Sequence, residues 1–231
     1  SEFEHDNCGA GFICSLNGEK TNTIISQALN ILTCLEHRGA VSSDGRTGDG
    51  AGILIEIPHE FFVKQCDFTI PSSNEYAVGM VFLPNKVNQS NHCIKIFEDE
   101  IRNQDLEILG WRNVPVNSKV VGSIAGNTQP QIKQVFIKRN SSGLSDKDFN
   151  LRLFIARKIS ENLIYSSELN QKEYFYFSSL SLRTIIYKGL LIPEDIERFY
   201  VDLKNPNLVT KLALVHQRFS TNTFPTWDLA Q

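Results

Sequence analysis

Apolar positions recur along the chain at two spacings, and together these spacings predict strands alternating with helices. Short apolar or alternating runs indicate strands. Longer runs with apolar residues three and four positions apart indicate helices. The predicted strands are 9–16, 51–57, 75–83, 131–139, 174–179, 184–187 and 211–220, and the predicted helices cover about 24–35, 60–65, 90–109 and 149–166.

The first helix has the clearest signals at its ends. Asn22 or Thr23 can cap its start, and Gly39 lies just beyond its end. In the helix predicted over 90–109, Ile94, Phe97, Ile101 and Ile108 form one apolar stripe.

Strands that follow one another closely, as in hairpins, alternate along the chain with helical segments, and strands outnumber helices. The strands at 174–179 and 184–187 are expected to form an antiparallel pair. Sheets covered by helices follow from this order. The sequence contains no repeat and no low-complexity linker, so a single domain is the simplest organisation.

Composition narrows the class of protein. The 231 residues are 41% apolar and carry a net charge of −3, which is ordinary for a globular protein and gives no electrostatic reason to expect nucleic acid. No basic block or long apolar run indicates a membrane. The sequence starts at Ser1 without a signal-peptide pattern, which suggests that the true start lies upstream or was replaced.

The cysteines predict a reducing compartment. There are five of them, an odd number, at positions 8, 14, 34, 66 and 93, with no CxxC pair. Their wide scatter also argues against a metal site, and none is predicted.

Three polar segments interrupt the apolar pattern and are candidates for chemistry. The first is Asn7–Phe12 (NCGAGF), where glycines on both sides of Ala10 let the backbone approach closely around a thiol. Without further evidence, a single cysteine next to glycine is more often a small buried apolar residue than a nucleophile.

The second segment runs from Glu36 to Gly52 and contains five glycines with interspersed His, Arg and Asp residues. Loops of this kind often hold sites. It lacks the Lys-Ser/Thr ending of a P-loop, and a tight turn with satisfied caps is the structural alternative.

The third segment, Val215–Trp227, ends an apolar strand in hydroxyl, amide and guanidinium groups. An arginine at such a strand end can grip a carboxylate with two parallel hydrogen bonds. A solvated strand end is the alternative, and the clustering of polar groups favours a small polar ligand.

In this order, the three segments resemble the N-terminal domain of the glutamate synthase large subunit, a class II (N-terminal-nucleophile) glutamine amidotransferase. The family begins with Cys-Gly-x-Gly-Phe-Ile, as at 8–13 here. It continues with His-Arg-Gly-Ala (37–40), Asp-Gly-x-Thr-Gly-Asp-Gly-x-Gly (44–52) and His-x-Arg-Phe-Ser-Thr-Asn-Thr-x-Pro-x-Trp (216–227). The middle of the chain fits only in length and strand–helix character.

The resemblance implies an α+β fold of the Ntn-hydrolase type, a four-layer αββα sandwich of two mainly antiparallel sheets covered by helices, incomplete at the C-terminus. It implies that Cys8 attacks the side-chain amide of L-glutamine and releases ammonia. The α-amino group of the same residue would shuttle the proton. Arg218 would hold the substrate α-carboxylate, Ser220, Thr221 and Asn222 would line that pocket, and Arg38 would favour the thiolate.

Two departures from the family pattern qualify this interpretation. Cys8 is preceded by seven residues, so residues 1–7 are expected to be a leader cut between Asn7 and Cys8, with the amidotransferase domain at 8–231; uncut, the chain would be inactive. The family's oxyanion hole and its acidic ligand for the substrate amino group come from residues further along than Gln231. Loss of an oxyanion donor costs about 10²–10³ in rate.

For the parent protein, the resemblance implies that ammonia passes to a second site and is added to 2-oxoglutarate. FMN and an iron–sulfur cluster (3Fe-4S) would serve that site, with electrons from ferredoxin or a reduced nicotinamide, and no cofactor is expected within this chain. The location is open between the bacterial cytoplasm and the plastid stroma. The Asn-, Ile- and Lys-rich composition hints at an AT-rich genome such as that of a plastid and favours the plastid weakly.

Two other functions remain open from sequence. One is a glutaminase-like N-terminal-nucleophile hydrolase outside glutamate synthesis, which would leave the stretch from Phe219 to Trp227 without an explanation. The other is a non-catalytic binding domain that kept the fold. It predicts that Cys8 is never exposed as an N-terminus.

Overall fold

A computed structural model describes residues 8–140, 143–220 and 224–230 of the chain. The strands in these ranges are β1 (Gly9–Cys14), β2 (Ala51–Glu56), β3 (Tyr76–Leu83), β4 (Leu106–Asn113), β5 (Gln131–Arg139), β6 (Tyr176–Ser181), β7 (Thr184–Gly189) and β8 (Leu212–Gln217). The α-helices are α1 (Asn22–Cys34), α2 (His59–Gln65), α3 (Val87–Asn103), α4 (Ser123–Asn127), α5 (Asp146–Tyr165) and α6 (Asp195–Phe199). Within the described ranges, no helix combines the length and apolar character needed to cross a membrane.

The chain folds as two compact units. The first is built from Ser1–Pro58, Pro115–Gln129 and Ile186–Gln231, and the second from His59–Val114 and Pro130–Ile185. The expected division into a leader at 1–7 and one amidotransferase domain at 8–231 stays a prediction.

The first unit contains a four-stranded sheet in the order β1-β8-β2-β7. Strand β8 pairs antiparallel with β1 and β2, so Gln217 lies opposite Gly9 on one side and Ala51 on the other. Helix α1 packs on this sheet. At Gly11, a Cβ would overlap the Ile31 side chain, which shows how closely helix and strand approach. The helix buries five apolar side chains: Ile24, Ile25, Ala28, Leu29 and Leu32. Each isoleucine or leucine among them contributes about 1.5–3 kcal/mol and the alanine methyl about 0.8 kcal/mol.

The second unit contains the other sheet, in the order β4-β5-β3-β6, and all three of its strand pairs are antiparallel. Strand β3 is buried at all eight positions, which explains its unbroken apolar run. Helices α3 and α5 add Phe97, Phe149 and Leu153 to the same core. The predicted α+β class with two mainly antiparallel sheets and helices is therefore confirmed.

The helix predicted over 90–109 is wrong over its last six residues, 104–109. Helix α3 ends at Asn103, and Asp105 adopts a left-handed conformation with φ of 56°. Strand β4 follows at once, so Ile108 belongs to a sheet and not to the helical stripe. Helices tolerate no such residue in their interior.

Two further expectations are corrected. Strands 174–179 and 184–187 do not pair with each other, because β6 joins the sheet of β3 and β7 joins the sheet of β2. Helix α1 begins at Asn22 after Thr21. The capping residue is therefore Thr21, not Asn22 or Thr23. The helix ends at Cys34, and Leu35 and a short 3-10 turn from Glu36 to Arg38 separate it from Gly39.

Candidate active site

The segment that precedes β1 and the segment that follows β8 lie side by side. Because Gly9 is opposite Gln217 in an antiparallel pair, Cys8 is placed next to the residues after Gln217. The backbone N–H of Phe219 points at the Cys8 thiol, with nitrogen and Sγ 3.5 Å apart. The thiol in turn lies 3.9 Å from the carbonyl oxygen of Phe219. The first and third polar segments are thus in contact at the thiol.

Arg38 lies against the residue that follows Cys8. A Cβ placed on Gly9 would be 3.1 Å from Cβ and 3.2 Å from Cγ of Arg38. The 3-10 turn after α1 therefore packs its arginine stem on the start of β1. The neighbouring His37 is exposed, and its Nδ1 lies 3.0 Å from the carbonyl oxygen of Cys34 at the end of α1.

The glycine-rich loop joins the same cluster. Asp49 is buried, and its Oδ2 accepts a hydrogen bond of 2.6 Å from the backbone N–H of Ser220. The backbone N–H of Arg218 donates to the carbonyl oxygen of Gly50 at 2.9 Å. A carboxylate that accepts from a backbone N–H makes one of the stronger classes of hydrogen bond. All three polar segments therefore meet in the first unit.

Asp44 fixes the other end of this loop to helix α4. Its carboxylate accepts from the backbone N–H groups of Ile124 and Thr47 at 3.0 and 2.8 Å, and from the Thr47 hydroxyl at 2.7 Å. These donors stabilise the ionised form, with the Ile124 N–H contributing most, and hold the pKa of Asp44 well below its usual range. The Thr47 hydroxyl also accepts from the N–H of Ala125 at 3.1 Å.

Helix α4 also holds the last described residues. The indole N–H of Trp227 donates to the carbonyl oxygen of Ala125 at 3.0 Å. Arg218 donates from Nη1 to the carbonyl oxygen of Leu229 at 2.8 Å, and the buried Lys188 donates to that of Asp228 at 2.9 Å. The Arg218 and Lys188 side chains therefore hold the turn at the end of the described residues through its carbonyl oxygens.

The predicted site residues divide into two groups. The structure brings together Cys8, Arg38, Arg218 and Ser220, although their roles stay predictions. Asn7, Thr221 and Asn222 lie outside the described residues. Sequence reasoning gave no individual role to Asp49, Gln217 or Lys188. The first two stand inside the recognised segments, whereas nothing in the sequence marks Lys188.

Among residues 8–140, 143–220 and 224–230, no group of three or more His, Cys, Asp or Glu side chains could hold a metal ion.

A family model described as "Glutamine amidotransferases class-II" matches residues 8–231 of the chain, beginning at Cys8. The chain is also 44% identical over 230 residues to the glutamate synthase [NADPH] large chain of Bacillus subtilis, covering 99% of this chain and 15% of that protein.

Two further relatives are similar over nearly the whole chain, and the name of the second specifies a different electron donor, ferredoxin. Identity is 42% over 234 residues with the glutamate synthase [NADPH] large chain of Azospirillum brasilense, covering all of this chain and 15% of that protein. It is 41% over 231 residues with ferredoxin-dependent glutamate synthase 2 of Synechocystis, covering 99% and 14%. The chain thus spans about a seventh of the length of these relatives.

Proposed function

Since the chain belongs to the class II glutamine amidotransferases, we propose that it hydrolyses the side-chain amide of L-glutamine with Cys8 as the nucleophile. The observation that carries this proposal is the position of the thiol: the Phe219 N–H points at it. The Arg38 stem packs against Gly9, the residue that follows Cys8. The thiolate is the reactive form of a cysteine nucleophile, and a backbone N–H beside the sulfur is a donor from which it can accept.

The reaction proceeds in two stages. The Cys8 thiolate attacks the amide carbon, the α-amino group carries the thiol proton to the leaving nitrogen, and ammonia departs. Water then attacks the γ-glutamyl thioester, gives glutamate and restores the thiol. The balance is glutamine and water giving glutamate and ammonia.

The α-amino group exists only after cleavage between Asn7 and Cys8. In the uncut chain the nitrogen of Cys8 is a peptide amide, which cannot take up a proton at neutral pH. We therefore propose residues 1–7 as a leader, and residues 8–231 as part of the amidotransferase domain. The start of the family match at Cys8 supports this division.

Arg218 is proposed to bind the α-carboxylate of glutamine. Its Nη1 already donates to Leu229, which fixes the guanidinium in place, and a guanidinium has five N–H donors in a planar fork. Ser220 follows two residues later on a backbone held by Asp49, and Thr221 and Asn222 are proposed to line the same pocket.

For the parent protein we propose glutamate synthesis, because the relatives are named glutamate synthases. Ammonia would pass to a site where 2-oxoglutarate is aminated and reduced, with FMN and a 3Fe-4S cluster held by other parts of that protein. Ferredoxin or a reduced nicotinamide would supply the electrons. The bacterial cytoplasm or the plastid stroma would be its location.

The test uses the full-length protein that carries this chain. N-terminal sequencing of the mature protein is expected to begin at Cys8, and Cys8→Ser is expected to abolish glutamine hydrolysis. The surface variant Cys14→Ser serves as the control and should keep full activity, since Cys14 is exposed at the far end of β1. A mature start elsewhere, or full glutaminase activity in Cys8→Ser, would refute the proposal.

A further inference from the structure

The side chain of Gln217 is a buried polar group with one unsatisfied atom. It is 1% exposed, and its Nε2 donates to the carbonyl oxygen of Arg218 at 3.4 Å. Among the described residues, its Oε1 is buried and has no hydrogen-bond partner. Buried acceptors without partners are uncommon and costly, so each one needs a physical explanation.

The strand register places Gln217 opposite the start of β1, one residue from the nucleophile. Gln217 is opposite Gly9 in the β1–β8 register, and Gly9 follows Cys8 directly. On another side, a Cβ on Gly39 would overlap the Gln217 amide. Gly39 has an extended backbone, so it is the missing side chain, and not an unusual φ, that lets the Arg38 turn approach this closely.

Filling this space does not require a polar atom. Leucine or methionine has nearly the same volume and would leave no unsatisfied acceptor. A glutamine oxygen at this position is therefore best explained by an N–H donor that forms only after the chain has been processed.

Processing of the chain creates such a donor. Hydrolysis of the Asn7–Cys8 peptide bond adds water, leaving a carboxylate on Asn7 and an amine on Cys8. This amine is one residue from Gly9. It needs acceptors for its N–H groups while its lone pair receives the proton of the thiol.

We propose that Oε1 of Gln217 accepts a hydrogen bond from the α-amino group of processed Cys8, and so orients the amine toward the thiol. Gln217 is thus a positioning residue for the amidotransferase reaction. This inference rests on the proposed function, because it requires the amine to exist and to serve as the base.

Charged or titratable residues of the neighbouring segments would also influence the amine. They come from the turn after α1, from the end of β8 and from the glycine-rich loop: Glu36, His37, Arg38, His216, Arg218 and Asp49. They are the same in every variant below, so a comparison of variants isolates the contribution of residue 217.

The experiment measures kcat and KM for glutamine as a function of pH in the full-length protein, with Gln217→Leu and Gln217→Glu. Leucine removes the acceptor and favours the neutral amine, so the acidic limb of kcat/KM should move to lower pH. Glutamate adds a negative charge that favours the ammonium, and should move that limb to higher pH by about one unit or more. In the leucine variant kcat should fall about 10-fold to 100-fold with little change in KM.

Opposite shifts of one limb separate positioning from packing, because a merely structural role would not move the limb in two directions. Gln65→Glu, the same chemical change at an exposed position, is the control and should keep the wild-type profile. If Gln217→Leu yields no soluble protein, Gln217→Met makes the same comparison.

Failure of the inference and failure of the proposed function are distinguishable. If wild-type protein starts at Cys8 and is active, yet the variants keep its pH limb and kcat, Gln217 does not position the amine. A rise in KM without a shift of the limb would assign the acceptor to glutamine and would also overturn the inference. A wild-type protein without an N-terminal Cys8 would refute the proposed function itself.

Discussion

Asp49 and Arg218 each hold a backbone group of the segment after β8, and both contacts depend on charge. Asp49 accepts from the N–H of Ser220, whereas Arg218 donates to the carbonyl oxygen of Leu229. For Arg218 this backbone contact comes in addition to its proposed contact with the glutamine α-carboxylate, whereas Asp49 is given no contact with the substrate. At the scale of residues, a substitution that keeps the size of the side chain but changes its charge or its hydrogen-bonding geometry is therefore informative. It separates a role in binding glutamine from a role in holding the backbone.

Replacing Arg218 with lysine should weaken glutamine binding. Lysine keeps the charge but presents a single ammonium, so it loses the two parallel hydrogen bonds to a carboxylate. We expect KM for glutamine to rise about 10-fold to 100-fold with a smaller change in kcat. Steady-state kinetics measure this, with Arg183→Lys as the control, since Arg183 is 77% exposed and pairs with Asp146. An unchanged KM would remove Arg218 from the carboxylate site.

Replacing Asp49 with asparagine should lower kcat/KM about tenfold, because a charge-assisted hydrogen bond to Ser220 becomes a neutral one. The side chain keeps its size, so the loop itself should stay folded. Kinetics on the full-length protein measure the change, and exposed Asp67→Asn is the control. Wild-type kinetics in Asp49→Asn would show that the Ser220 backbone is held adequately without this charge.

At the scale of elements, the glycine-rich loop owes its conformation to helix α4 as well as to its own glycines. Asp44 receives N–H groups from Ile124 and Thr47, and a Cβ on Gly122 would overlap the Thr47 backbone and side chain. A loop and a helix about 80 positions apart in sequence therefore support each other.

Replacing Asp44 with asparagine should destabilise the chain in a pH-dependent way. The pKa of Asp44 is lower in the folded than in the unfolded state, so its ionisation stabilises the fold above the unfolded value of 3.8. That stabilisation declines as pH falls below this value toward the folded pKa. The difference between wild type and Asp44→Asn in urea midpoint should be larger at about pH 7 than at about pH 3. A difference independent of pH would assign the effect to hydrogen-bond geometry alone.

The sequence predicts local elements better than their partners. Strand β5 is predicted at its observed bounds, and helices α1, α2 and α5 within about three residues, because their apolar spacing is regular. The end of α3 was misplaced, since Leu106 and Ile108 of β4 continue an apolar spacing that also suits a helix. The turn at Asp105 is set by one backbone conformation.

Pairing and supporting contacts could not be predicted, because they join distant positions. Strands β6 and β7 are close in sequence, yet each pairs with strands more than 90 positions away. Likewise, the candidate nucleophile was found from its motif, whereas the contact of Asp49 with Ser220 joins residues 171 positions apart. Helix α4 has only five residues, too few to show a period.

At the scale of the whole molecule, the residues assembled around Cys8 belong to the first unit, while much of the aromatic core belongs to the second. Each unit contains one of the two tryptophans: Trp227 lies in the first and Trp111 in the second. Variants that retain only one tryptophan therefore report on each unit separately.

Replacing Phe149 with alanine should destabilise the second unit selectively. Phe149 is completely buried on α5, so its removal is expected to cost about 3–5 kcal/mol. In urea titrations, the midpoint reported by Trp111 should fall more than that reported by Trp227, provided the units unfold separately. Phe154→Ala on the same helix is the matched control. Its side chain is 56% exposed, so the change should stay within about 0.5 kcal/mol. Equal shifts at both tryptophans would instead show that the two units unfold as one cooperative domain, as expected from sequence.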